Sequence, residues 1–164
     1  MQGKKMAKSK GEDGKLIAAQ NKKAYHDFII LDKYEAGIML RGNEVKSIRE
    51  HKVSLVDSYA RVKNGELFLY NMHITPYSKA RIEETNPLRI KKLLMHKQQI
   101  LKINAKMNDK SMTLVPLSIY FDKNFAKVEL GLAKAKLKQD KRQDLAEKAT
   151  ERETQRTLKN FSRS

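Results

Sequence analysis

Three stretches of this 164-residue chain set cations beside hydrogen-bonding groups at spacings that would suit a polyanion. Asn21, Lys22 and Lys23 precede Tyr25 and His26, whose rings could stack on a base or sugar. In NEVKSIR, from Asn43 to Arg49, Val45 and Ile48 stand three apart and would face a core. Lys46 and Arg49, also three apart, would then face solvent together. Glu44 repels phosphate, so it serves such a surface only by accepting from a base amino group or by orienting Lys46 or Arg49. A match to the helix macrodipole is the plainer alternative. In NPLRIKKLL, Arg89, Lys91 and Lys92 lie among Leu88, Ile90, Leu93 and Leu94. The apolar residues are expected in the core, and the cations at a solvated rim or on phosphates.

Reaction chemistry finds little material. The chain has no cysteine, which excludes disulfides, thiol nucleophiles and thiolate zinc sites. His26, His51, His73 and His96 are dispersed and form no H-E-x-x-H pair. There is no G-x-G-x-x-G run, and no Gly-Lys pair is followed by Ser or Thr. Glu83, Glu84 and Asp109 sit on polar segments, where a solvated surface is the default. The expectation is no catalytic residue, no metal and no cofactor.

Lys and Arg total 35 against 19 Asp and Glu, a formal charge of +16. An excess of that size attracts polyanions over a Debye length or more, which leaves nucleic acid or an acidic membrane face as the partner. No apolar run approaches the roughly 18 residues that membrane spanning needs. The first residues carry positive charge without an apolar core after it, unlike a secretory signal. A cytoplasmic nucleic-acid-binding protein is the leading class.

Residues 1–20 lack periodic hydrophobicity and read as a flexible basic arm. YHDFIILDKYEAGIML has short apolar runs at Phe28–Leu31 and Ile38–Leu40, expected as two strands around a turn at Gly37. Asn43 is expected to cap a short helix. SYARVKNGELFLYNMHI is the clearest hairpin, with Asn64-Gly65 suited to a type I′ turn. A helix is expected to start at Asn86-Pro87, with Ile100, Ile103 and Met107 at helical spacing. SMTLVPLSIYFDKNFAKVELGLA reads as a second hairpin, in which Pro116 demands an edge or a bulge. Five or six strands and two helical inserts over residues 21–135 predict a mainly β, OB-type antiparallel barrel.

Residues 136–164 are strong helix formers without an apolar stripe. At roughly 100° per residue, Asp140, Asp144, Glu147 and Glu151 fall on one stripe. Lys141, Lys148, Arg152, Arg156, Lys159 and Arg163 fall on a neighbouring one. Such a tail is expected to be disordered when free and helical when a polyanionic groove receives its basic face.

The signatures NKKAYHDF, EAGIMLRGNEVKSIRE, SYARVKNGELFLYNMHITPY, NPLRIKKLL and GLAKAKLKQDKR closely resemble those of the small protein B family, in that family's order from Asn21 onward. That family partners transfer-messenger RNA (tmRNA) in bacterial ribosome rescue. The resemblance implies an OB-type barrel that binds the tRNA-like domain of tmRNA and replaces its missing anticodon arm. It also implies delivery of the alanyl form by elongation factor Tu (EF-Tu) to stalled 70S ribosomes. Alanyl-tRNA synthetase is then an indirect partner through the RNA. RNA contacts are implied for Asn21, Lys22, Lys23, His26, Glu44, Lys46, Ser47, Arg49, Arg89, Lys91, Lys92 and Lys134. Contacts to the small-subunit decoding centre and message channel are implied for Lys136, Lys138, Asp140, Lys141, Arg142, Lys148, Arg152 and Arg156. Where family tails often carry Gly-Lys-Lys, this chain has Ala135, Lys136 and Leu137. Gln139 stands where an aromatic or His is common. A structural ribosomal protein and a general RNA chaperone are the alternative readings.

Overall fold

Asn64 and Gly65 both take positive φ, 52° and 74°, and their two-residue turn joins β4 (Tyr59–Lys63) to β5 (Glu66–Tyr70). A computed structural model of the chain describes residues 14–79, 81 and 86–162. The first 13 residues of the expected arm, together with Glu83, Glu84 and Arg163, lie outside them. The second expected hairpin is also present, as β8 (Met112–Asp122) against β9 (Phe125–Ala135).

These hairpins belong to a closed antiparallel barrel. β9 pairs with β2 (Phe28–Ile38), β2 with β7 (Lys91–Leu94), β7 with β5, β5 with β4, and β4 with β8. The β8–β9 pairing closes the ring, which leaves those strands no open edge. β1 (Leu16–Gln20) adds to the outside of β8, and β3 (Val53–Ser54) pairs with β6 (His73–Ile74) as a separate two-stranded piece. Among the described residues four helices accompany the sheet: α1 (Lys22–Asp27), α2 (Gly42–Arg49), α3 (Lys97–Lys106) and α4 (Lys138–Phe161). Leu67, Leu69, Leu93, Leu114, Ile119 and Leu130 fill the barrel, joined by Ile48 from α2 and by Ile100 and Ile103 from α3. The mainly β antiparallel architecture expected from the sequence is the one formed.

Four local expectations differ. The structureless arm does not reach residue 20, because Leu16–Gln20 pairs with β8 and packs Ala18 and Ala19 against the core. Small side chains concealed that strand. Gly37 makes no turn, since β2 runs unbroken through it. A Cβ there would lie 3.3 Å from the Leu94 Cβ, so the glycine permits close approach. The polar residues between the two apolar runs face outward, where Asp32 pairs with Lys106 at 2.6 Å and Glu35 with Lys127 at 2.8 Å.

The helix expected from Asn86 begins only at Lys97, and KKLL before it is strand β7, alternating in and out. Of the four apolar residues expected in the core there, Leu93 is buried, while Leu88, Ile90 and Leu94 are half exposed. Finally, α1 was not legible, because its apolar content is a single buried alanine, Ala24. Pro116 behaves as its missing N–H requires. The ladder is bulged between Pro116 and Ser118, and there β8 exchanges β4 for β1 as its neighbour.

Candidate nucleic-acid interface

Asn21 stands at that exchange. Its side-chain amide donates to the Pro116 carbonyl at 3.0 Å and the Leu55 carbonyl at 3.1 Å, and its oxygen accepts from the Ala24 N–H at 3.2 Å. Its own backbone N–H donates to the Leu117 carbonyl at 2.7 Å. The residue is 4% exposed. Its polar atoms are therefore spent on the gap at the proline bulge and on capping α1, which places it beneath the candidate surface. Lys22 and Lys23 are exposed beside it, Lys23 holding Asp57 at 2.9 Å.

The short helix α2 starts by another route than the expected Asn43 cap. The Glu44 carboxylate reaches back to accept the Arg41 N–H at 2.8 Å. The same carboxylate takes a two-pronged bond from Arg89, Nε to Oε1 at 2.9 Å and a terminal nitrogen to Oε2 at 2.6 Å. Burial opposes the charge on Glu44, yet the Arg89 hydrogen bonds and the Arg41 N–H hold its pKa below the ordinary value. Glu44 thus orients Arg89, not Lys46 or Arg49. It locks α2 to the segment leading into β7. Arg89 in turn donates to the carbonyls of Ile90 and Met39, at 3.2 and 3.4 Å.

With Val45 packed inward and Ile48 fully buried, Lys46 and Arg49 project to solvent as their spacing required. The Lys46 ammonium lies 5.3 Å from the Tyr77 ring centroid, and the Arg49 guanidinium 5.3 Å from that of Phe121. Ser47 does not share that face. It is fully buried, and its hydroxyl has no hydrogen-bond partner among the described residues. It borders a cleft of about 190 Å³ lined also by Asn43, Glu44, Thr75, Tyr77 and Pro87.

Lys91 departs furthest from expectation. It points into the barrel with no exposed surface, and its ammonium donates to the Met72 carbonyl at 2.9 Å. Burial pushes its pKa down to about 8, against the attraction of Glu44. A side chain so placed cannot reach an RNA phosphate. Strand alternation explains the inversion: Leu93 and Lys91 share the inner face, and Lys92 alone faces out, holding Glu66 at 2.8 Å.

The folded pKa of Lys91 lies below the unfolded one, so the folded chain binds fewer protons between about pH 8 and 10.5. Stability relative to Lys91→Met is expected to rise across that window and to be flat below it. At 1.36 kcal/mol per unit the change is on the order of 3 kcal/mol. Urea unfolding of both chains at pH 7.5 and pH 10 reads it, and parallel curves would place Lys91 in water.

Lys134 is exposed near the end of β9. Beyond it the chain passes into α4, and the foot of that helix is tied to α1. The Lys136 N–H donates to the Asp27 carbonyl at 2.9 Å, and its ammonium to the Tyr25 carbonyl at 3.1 Å and to the Asp144 carboxylate. Lys141 pairs with Asp27 at 3.3 Å, and His26 Nδ1 meets the same carboxylate oxygen at 3.0 Å. The His26 hydrogen bond and then Lys141 hold Asp27 below its ordinary pKa against burial. Asp140 accepts the Leu137 N–H at 3.2 Å and starts the helix. His26, Asp140 and Lys141 therefore form or flank a joint between barrel and tail, a role for which Asp27 gave no signal in the sequence.

Beyond Asp144, whose carboxylate meets Lys136, α4 runs out into solvent. None of its 24 residues is buried, and Leu145, Leu158 and Phe161 are exposed. Lys138, Arg142, Lys148, Arg152 and Arg156 are all presented to solvent. Thr150, Thr154 and Thr157 bond back to carbonyls one turn earlier. Lys148, Arg152 and Arg156 succeed one another at i,i+4, as do Glu147 and Glu151, so like charges stack along each stripe and weaken the isolated helix. Over 24 residues the rod is about 36 Å long.

Among the described residues no group of His, Cys, Asp and Glu could hold a metal ion, and no helix is long and apolar enough to cross a membrane. The arrangement offers exposed cations on a rigid barrel and a protruding cationic rod.

A family model described as SmpB protein matches residues 18–160. The SsrA-binding protein of Carboxydothermus hydrogenoformans is 54% identical over 143 residues, covering 87% of this chain and 96% of that protein. That of Halothermothrix orenii is 52% identical over 153 residues, with 93% and 99% covered. The solved structure "tmRNA-SmpB: a journey to the center of the bacterial ribosome" superposes with a TM-score of 0.63 at 47% identity, over 73% of this chain and 85% of that one.

Proposed function

This chain belongs to the SmpB protein family, and from that premise we propose that it binds tmRNA for trans-translation, holding the folded RNA on its barrel and the stalled ribosome with its tail. The observation that carries the reading is α2. The Glu44–Arg89 lock fixes the helix on the barrel while Lys46 and Arg49 face outward beside the rings of Tyr77 and Phe121. The partly exposed Tyr77 ring beside Lys46 suits a ligand that offers both phosphates and bases, while Arg49 covers the buried Phe121 ring. Lys22, Lys23, Lys92 and Lys134 extend the cationic surface around the barrel.

In this reading the barrel clamps the tRNA-like domain and stands in for the missing anticodon arm. Elongation factor Tu and alanyl-tRNA synthetase meet the protein through the RNA, in the cytoplasm. α4 enters the message channel of the small subunit only when that channel is empty, with Asp140, Lys141 and Arg142 at the decoding end. Like charges along α4 are relieved there by ribosomal phosphates. The protein binds and positions, and the ribosome performs the chemistry. Family membership argues against a structural ribosomal protein and against a general RNA chaperone.

A salt titration of binding to the tRNA-like domain tests the surface. Lys46→Ala is expected to flatten the slope of log K against log salt by about one, the signature of one lost phosphate contact. Lys91→Met is expected to leave the slope unchanged. A slope unaltered by Lys46→Ala, or lowered by Lys91→Met, would move the RNA off this face.

A further inference from the structure

Apart from Lys92, the outward face of β4, β5 and β7 carries side chains that neither the core nor the tmRNA reading uses. Strand alternation puts Tyr59, Arg61 and Lys63 outside on β4, Glu66, Phe68 and Tyr70 outside on β5, and Lys92 outside on β7. Register brings them together: Tyr59 opposite Tyr70, Arg61 opposite Phe68, and Phe68 opposite Lys92. The two tyrosine rings lie parallel within 8°, their centroids 5.3 Å apart, and the Arg61 guanidinium sits 5.1 Å from the Tyr59 centroid.

A cross-strand aromatic pair can be explained as hairpin stabilisation. That explanation does not cover Phe68, a partly buried ring on the outer face flanked across the sheet by a cation on either side. Neither tyrosine hydroxyl has a hydrogen-bond partner among the described residues. Below Tyr59 and Arg61 the face runs into an open groove of about 520 Å³ that also takes in Lys23, Phe28 and Lys110. Rings alternating with cations on an open sheet are what an unpaired nucleic-acid strand requires. Bases stack on ring faces whatever their sequence, and the cations follow the backbone. Asp27 and Asp57 also line the groove, and among the described residues Glu66 is the one carboxylate on the three strands. It pairs with Lys92, so a phosphate there would displace a carboxylate from an existing cation site.

We propose that this face is a second RNA-binding site, which takes a short unpaired strand by stacking bases on Phe68 and on the Tyr59–Tyr70 pair, with phosphates on Arg61, Lys63 and Lys92. It is carried by different elements from α2 and does not depend on which folded RNA that helix recognises.

The chain contains no tryptophan, so Phe68→Trp in the full-length protein installs a single reporter at the centre of the face. Addition of a ten-nucleotide oligoadenylate is expected to quench its emission saturably, because a base stacked on an indole quenches it. Arg61→Ala in that background is expected to weaken the apparent affinity by roughly tenfold, as loss of an organised stacking site does. Inorganic polyphosphate of matching charge is expected to bind without quenching. Should Phe68→Trp fail to fold, fluorescence anisotropy of labelled oligoadenylate with Arg61→Ala and with Tyr70→Leu supplies the same comparison. An oligonucleotide that binds without quenching, or with an affinity indifferent to both Arg61 and Tyr70, overturns the proposal. So does quenching by polyphosphate equal to that by RNA.

Discussion

A chain ending at Ala135 is expected to bind the tRNA-like domain of tmRNA within about threefold of the full chain, and to lose peptide tagging on stalled ribosomes by on the order of 100-fold. The two halves of this expectation rest on separate observations. The ring of β2, β9, β8, β4, β5 and β7 closes without any residue beyond Ala135, and α4 buries nothing against it. Removing the tail therefore leaves the barrel surface intact, apart from the Lys136 and Lys141 contacts to α1. On the ribosome the opposite holds. Lys148, Arg152 and Arg156 are solvent-facing cations in line along one rod, and their loss is expected to remove the phosphate contacts proposed to hold it in the channel. Charge reversal at Arg152 and Arg156 in the full chain should reproduce most of the tagging loss without shortening the protein. Tagging that survives both changes would remove the tail from the mechanism.

Replacing Asn21 by Ala is expected to destabilise the chain by about 3 kcal/mol and to lower Tm by roughly 10 °C, with little effect on RNA affinity once the protein is folded. The substitution removes the side-chain donor to the Pro116 carbonyl and the cap from α1, while the Leu55 carbonyl keeps the Ser58 N–H and hydroxyl. Loss of the donor to the buried Pro116 carbonyl costs about 1–3 kcal/mol before relaxation, and the lost cap adds about 1 kcal/mol. Calorimetry and RNA titration below the melting range separate the two possible roles. An unchanged Tm with a large loss of affinity would mean that Asn21 touches RNA, as its position beside Lys22 and Lys23 suggested.

Asn21 and Lys91 also show what a sequence leaves out. Both are polar residues in cationic company, and read along the chain both look like RNA contacts. Which side of the sheet a residue faces depends on register, and the register of β7 is set by its pairings to β2 and β5, far away in the chain. KKLL reads as two cations before two leucines, whereas the fold pairs Lys91 with Leu93 inside and Lys92 with Leu94 outside. The role of Asn21 depends on Pro116, 95 residues further on, and on the strand exchange there, which no local pattern announces. Glu44 was ambiguous for the same reason, since its partner Arg89 lies 45 residues away.

What was legible is local. Asn64-Gly65 specified its hairpin, Pro116 its bulge, and the spacing of Val45, Lys46, Ile48 and Arg49 the two faces of α2. The charge stripes of the tail were visible as well, because a helix that buries nothing is described by its own sequence. The tether at its foot was not visible, as it joins Lys136 and Lys141 to Asp27 on α1.

The account stands on recognition by the barrel independently of the tail. Its most direct test is competition for labelled tRNA-like domain at physiological salt. Ordinary transfer RNA would be the competitor, and the full chain and the chain ending at Ala135 the binders. Both are expected to retain the labelled domain against an excess of transfer RNA, to the same degree. Equal displacement by any folded RNA, or a preference that disappears with the tail, would contradict it.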